Sequence, residues 1–213
     1  MNKSINIAVV GLGQVGSYLL NELNSKKKDI ELKTGKKINV VAISARNINK
    51  KRQFKIDKKI FFKDPLDIFK KTKLDVFFEA IGQSDGVSKK IVETALKSKI
   101  HVITPNKALI SKHGNELAKI AEQNNVNLEF EASVAGGIPI LRSIKEGLAT
   151  NKISKVYGIL NGTSNYILSE MENSNQSFTD VLKKAQKLGY AEPGNPKLDL
   201  NGFDAFAKVR ILS

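Results

Sequence analysis

Four ionisable residues near the carboxyl end, Glu192, Asp199, Asp204 and Lys208, have the types that proton transfer requires. Asp204 and Lys208 are spaced i, i+4, which places them on one face of a helix. That arrangement suits a carboxylate tuning a lysine that acts as acid or base. It equally suits an exposed helix ion pair worth about 0.3–0.5 kcal/mol, and spacing alone leaves both readings open. Near the amino end, Gly11, Gly13 and Gly16 form G-x-G-x-x-G directly after an apolar run. In such a pattern the first glycine makes a tight turn. The second admits a pyrophosphate to the backbone, and the third lets the helix pack on the strand. The helix start adds free amides and the positive end of a dipole. With a strand before it and a helix after it, the motif points to a dinucleotide. An acidic residue after the second strand would hold a ribose 2′-hydroxyl. The sequence instead has Ser44, Ala45 and Arg46, then Lys50, Lys51 and Arg52. A guanidinium there suits a 2′-phosphate, which favours NADP over NAD; the alternative is an exposed loop arginine. Lys107, in Thr104-Pro105-Asn106-Lys107, follows the fourth strand, at the end of the sheet where ligands bind. Its alternative is one more surface lysine.

The elements that must position these residues follow from periodicity. Residues 5–10 are apolar and β-branched, as in a strand buried on both faces. Further strands are expected at 38–44, 74–80, 101–104 and 126–131. Helices are expected at 17–27, 66–71, 88–98 and 108–123. This alternation predicts a doubly wound parallel sheet with right-handed crossovers and helices on both faces, an α/β domain over residues 1–133. Beyond it the pattern changes. GGIP at 136–139 opens a helix to 147, and 156–160 reads as a strand. NGTSN at 161–165 reads as a turn. Helices are expected at 166–172, at 178–188 and from about Gly202 onward, with a Pro/Gly-rich loop at 191–196.

Composition narrows the classes. The 213 residues are 41% hydrophobic and 26% charged, which excludes a disordered or collagen-like chain. There is no cysteine, so disulfides, zinc–thiolate sites and cysteine nucleophiles are excluded. No apolar run approaches the ~18 residues of a membrane span, and the N-terminus reads as a strand rather than a signal peptide. A cytoplasmic protein without membrane partners is expected. The net charge of +14 raises nucleic-acid binding. Arginine, however, occurs only at 46, 52, 142 and 210, tryptophan is absent, and the lysines are scattered. A solvated lysine-rich surface without specific nucleic-acid recognition is therefore expected.

The carboxyl-terminal segment reads Ala185-x3-Gly189-Tyr190-Ala191-x3-Asn195-Pro196-x2-Asp199-Leu200-x-Gly202-x-Asp204-x3-Lys208. Together with TPNKALIS at 104–111, EASVAGGIPILRSIKEGL at 131–148 and VYGILNGTSNYIL at 156–168, it resembles the homoserine dehydrogenase family. The loop AEPGNP departs from the shorter AE-x-DP of many relatives. The resemblance implies a Rossmann-type NAD(P) domain followed by a partial α+β substrate and dimerisation domain over 134–213. It implies interconversion of L-aspartate 4-semialdehyde and L-homoserine, a step toward threonine, methionine and isoleucine. By resemblance, Lys208 is the proton donor, Asp204 orients it, and Lys107 meets the nicotinamide end of the cofactor and shares the proton work. Glu192, Asp199, Asn161, Gly162 and Thr163 would bind substrate. Gly11, Gly13, Gln14, Val15, Gly16, Arg46 and Ile81 would hold the cofactor. Glu131, Val134, Gly136 and Ile138 match a segment that binds sodium or another monovalent ion in relatives. Relatives also continue well beyond Lys208, so a truncated chain and, at full length, a homodimer are expected. A module that binds NADP without turnover is the alternative; adding homoserine to the NADP-bound chain distinguishes them.

Overall fold

The computed structural model describes residues 4–50, 52, 56–191 and 200–213. The chain divides into two compact units, Met1–Gly137 and Ile138–Ser213. The first is built on six strands: β1 (Ser4–Val10), β2 (Lys37–Ser44), β3 (Phe61–Phe62), β4 (Val76–Glu79), β5 (His101–Ile103) and β6 (Leu128–Glu129). Every pairing is parallel, and the order is β3-β2-β1-β4-β5-β6. β1 is central, so both its faces are covered. Ala8, Val9 and Val10 are essentially inaccessible, which is why a continuous apolar run was needed there. The direction of winding reverses between β1 and β4. A crevice opens at the carboxyl ends of the strands at that point.

The helices follow from apolar spacing. Helix α1 (Gln14–Ser25) sets Leu19, Leu20 and Leu23 against Ile7, Val9 and Ile43 of the sheet. Helix α2 (Lys27–Thr34) buries no side chain and ends on left-handed Gly35. Its sequence, KKDIELKT, carries no apolar stripe, so periodicity gave no sign of it. A 3₁₀ turn (Pro65–Asp67) leads into α3 (Ile68–Lys71). Helices α4 (Val87–Lys97) and α5 (Lys107–Gln123) bury Ile91, Val92, Ala95 and Leu96, and Leu109, Ile110, Leu117 and Ala121, respectively. Each fully buried leucine or isoleucine contributes roughly 1.5–3 kcal/mol. A surface ion cluster ties the start of α4 to α5. Lys112, Ser84 and His113 hydrogen-bond Asp85 and hold its carboxyl well below the usual carboxylate range.

The second unit is helical among its described residues. Helix α6 (Ile140–Arg142) widens into a π-turn at Ser143–Gly147. Helices α7 (Gly162–Ser174) and α8 (Phe178–Leu188) pack through Ile167, Val181 and Ala185, joined by Ala191 and Leu200. Tyr166 stacks on Tyr190 at 4.6 Å between centroids. Helix α9 (Phe203–Leu212) closes the described chain. Two expectations need correction. Residues 156–160 form no strand; Tyr157 and Ile159 are exposed at 85% and 76%. A ladder needs a neighbouring edge, and no described strand of this unit supplies one. NGTSN is not a free turn: Asn161 caps α7, and the next four residues form its first turn.

Candidate functional site

The crevice beside β1 is a cleft of about 690 Å³, within the range of ligand sites. Its floor is the glycine turn. Gly11 has φ of +94°, and a Cβ there would lie 2.4 Å from the carbonyl oxygen of Ala80. A Cβ on Gly16 would lie 2.1 Å from the oxygen of Gly11. Gly13, by contrast, faces open space, with nothing within 4 Å of a built Cβ. Gly13 is also the N-cap of α1, whose first turn holds no acidic residue. Its leading amides lack intrahelical partners, an arrangement that suits an anion. The cleft is lined further by Arg46, Lys50, Arg52 and Lys63, all cationic. An open glycine, free amides and cationic walls fit a phosphate-bearing dinucleotide.

Of the residues assigned to the cofactor, Gly11, Gly13, Arg46 and Ile81 line this cleft. Gln14 and Val15 form the first turn of α1, and Gly16 is buried beneath the glycine turn. Lys107 is half-buried as the first residue of α5 and is not part of the lining. Arg52 has a different task from the one its charge suggests. Its guanidinium donates to the carbonyl oxygens of Leu12 (3.2 Å), Asn47 (2.8 Å), Ile48 (3.3 Å) and Lys50 (2.9 Å). It thus staples the loop after β2 to the glycine turn. Arg46, exposed on that loop, keeps its side chain at the cleft.

The second cluster lies wholly in the second unit. The Lys208 ammonium is 2.6 Å from Asp204 Oδ2 and donates to the Leu160 carbonyl at 2.6 Å. Asn161 Nδ2 donates to the same Asp204 oxygen at 3.0 Å, while Asn161 Oδ1 accepts from Ser164 N at 2.8 Å. The Asp204 and Lys208 side chains are 9% and 20% exposed, so this is not the solvated pair of a bare helix surface. An ammonium has three donors, and among the described residues two are engaged. Thr163 is buried and donates to the Tyr190 carbonyl; Gly162 is exposed at the helix start. Asn161 and Thr163, assigned to substrate, thus direct these side-chain groups to the protein itself. Glu192 and Asp199 lie outside the described residues.

Glu131 begins a 3₁₀ turn (Glu131–Ser133) after β6; Val134 is buried and Gly136 exposed, while Ile138 opens the second unit. Among the described residues no group of three His, Asp or Glu side chains could hold a metal. A single carboxylate with main-chain oxygens suits a singly charged cation. No helix among the described residues is long and apolar enough to cross a membrane.

Sequence spacing did not single out Glu79, Thr104 or Asn106. Glu79 is wholly buried at the end of β4 and is hydrogen-bonded to both of the others. The available signal was a carboxylate inside the apolar run VFFEA, and an asparagine one residue before a helix.

Sheet order and cleft define a doubly wound nucleotide-binding protein. Residues 11–131 match the family described as homoserine dehydrogenase, NAD binding domain, and residues 139–213 match the homoserine dehydrogenase family. The chain belongs to the homoserine dehydrogenase family. It is 42% identical over 211 residues to homoserine dehydrogenase of Neisseria gonorrhoeae, covering 99% of this chain and 48% of that protein. Against that of Bacillus subtilis it is 37% identical with the same coverage. The crystal structure of a homoserine dehydrogenase from Thiobacillus denitrificans superposes with a TM-score of 0.87 at 40% identity. It covers 99% of this chain and 48% of that one. The chain therefore spans about half the length of the curated relatives it matches.

Proposed function

We propose that the chain carries the cofactor-binding and proton-transfer parts of an NADP-dependent homoserine dehydrogenase. The reaction interconverts L-homoserine and L-aspartate 4-semialdehyde on the way to threonine, methionine and isoleucine. The observation that carries this reading is Lys208, held by Asp204 and the Leu160 carbonyl with one ammonium donor remaining among the described residues. A fixed cation with a proton to give is what a developing alkoxide requires. When bound, the nicotinamide supplies or accepts the hydride. Gly13 and the first amides of α1 would hold the pyrophosphate, with Gly11 and Gly16 shaping the turn and Gln14 and Val15 contributing main chain. Arg46, with Lys50 and Lys63 nearby, would hold the 2′-phosphate. Ile81 would flank the cofactor, and Lys107 would meet its nicotinamide end. In the reducing direction Lys208 Nζ gives its proton to the aldehyde oxygen, and Asp204 stabilises and aims the ammonium. Family resemblance assigns Glu192 to the substrate amino group and Asp199 to its orientation, with Gly162 and Thr163 alongside. It also assigns a monovalent cation to Glu131 and the main chain at Val134, Gly136 and Ile138, and a homodimer to the assembled enzyme.

The test pairs binding with turnover. NADPH fluorescence should change on titration with the chain, and homoserine oxidation should depend on Lys208. In the full-length enzyme Lys208→Ala is expected to lower turnover at least ~100-fold, the scale of a lost general acid, with NADPH affinity unchanged. Unchanged turnover would remove Lys208 from this role.

A further inference from the structure

Glu79 closes β4 and is fully inaccessible to solvent. Its Oε1 accepts from the Ile81 amide at 2.7 Å and the Gly82 amide at 3.4 Å. Its Oε2 accepts from the Thr104 hydroxyl at 2.6 Å. Asn106 Nδ2 lies 3.3 Å from Oε1 and 3.2 Å from Oε2, and also donates to the Gln83 carbonyl at 2.8 Å. No lysine or arginine among the described residues pairs with this carboxylate. Its charge is met by neutral donors and by its place beside the start of α5, where a helix dipole favours an anion.

A buried charge without a cation is costly, and an apolar residue would complete a parallel strand more simply. The partners of Glu79 indicate what it does instead. Ile81 and Gln83 line the nucleotide cleft, as does Ala80, whose oxygen limits Gly11. Asn106 is the N-cap of α5: its Oδ1 accepts from the Leu109 amide at 3.1 Å, and the next residue is Lys107. Thr104 completes the ring, accepting from the Asn106 amide at 3.0 Å. One carboxylate thus joins the wall of the cleft to the helix start that carries Lys107. Every partner is a donor, so glutamine would turn an NH₂ toward a group that also donates.

We infer that Glu79 is a positioning residue, coupling the 80–83 wall of the cofactor cleft to the α5 cap and through it to Lys107. The inference rests on the reading of that cleft as the NADP site. It is tested in the 213-residue chain by Glu79→Gln and by Thr104→Val, which removes one donor with little change in shape. The readouts are amide hydrogen exchange and NADPH affinity. In Glu79→Gln, exchange should quicken in 80–83 and at the start of α5 together, and NADPH should bind about tenfold more weakly or worse. Thr104→Val should show a smaller change in both segments, and it decides the matter if Glu79→Gln does not fold. Faster exchange confined to one segment, or undiminished NADPH affinity in the folded variant, overturns the inference. If the unaltered chain fails to bind NADPH, the proposed function falls. The exchange readout still decides whether Glu79 joins the two segments.

Discussion

Arg46 and Arg52 sit on the same loop, and their charges are identical, but their surroundings divide the work. Arg52 spends its donors on four carbonyls of the Asn47–Lys50 turn and the glycine turn. A guanidinium so committed shapes a wall of the cleft. Arg46 is exposed at the cleft and is the guanidinium that the proposed function assigns to a 2′-phosphate. Arg46→Ala should therefore weaken NADPH by about tenfold or more, the scale of a lost charge-assisted contact, and leave NADH nearly unchanged. Arg52→Ala should weaken both cofactors alike. Fluorescence titrations with the two cofactors separate these outcomes, and a selective NADPH loss in Arg52→Ala would reverse the assignment.

At the level of elements, Asn161 links two helices of the second unit. One end of its side chain caps α7, and the other holds Asp204 of α9. Asn161→Ala should cost roughly 1 kcal/mol in chemical denaturation for the cap alone. Asn161→Asp keeps a good cap but sets a carboxylate against Asp204. It should retain most stability and lose turnover, so equal losses in both measurements would argue against the link. Much of this frame was legible beforehand. β1 and β2 declared themselves as apolar runs, α4 as a helix with one apolar face, and α5 and α8 as helical stretches. What escaped had physical reasons. Helix α2 buries nothing, and β3 is two residues paired only to the end of β2. Residues 156–160 have strand composition without an edge to join. At the candidate site, type and spacing marked Lys208, Asp204 and the glycines as candidates and left the role of the pair open. Glu79 remained hidden because its meaning depends on Thr104 and Asn106, which only the sheet brings to it.

For the whole molecule, a net charge of +14 spread over lysines is a self-repelling field. Ion pairs on its surface include exposed i, i+4 contacts such as Lys26–Glu22 and Arg142–Glu146, each worth little. Screening should therefore relieve more repulsion than it removes attraction. Thermal midpoints should rise from low to physiological ionic strength in choline chloride, which supplies salt without sodium. A falling midpoint would mean that the paired charges dominate. The glycine turn carries a different lesson. Gly11 and Gly16 are demanded by contacts within the protein itself, whereas Gly13 has nothing within 4 Å of a built Cβ. Two letters of the three-glycine signature therefore record how a strand and helix fit together, and one alone is left without a structural demand of its own. Matching all three in an unfamiliar sequence is strong news about architecture and much weaker news about what is bound.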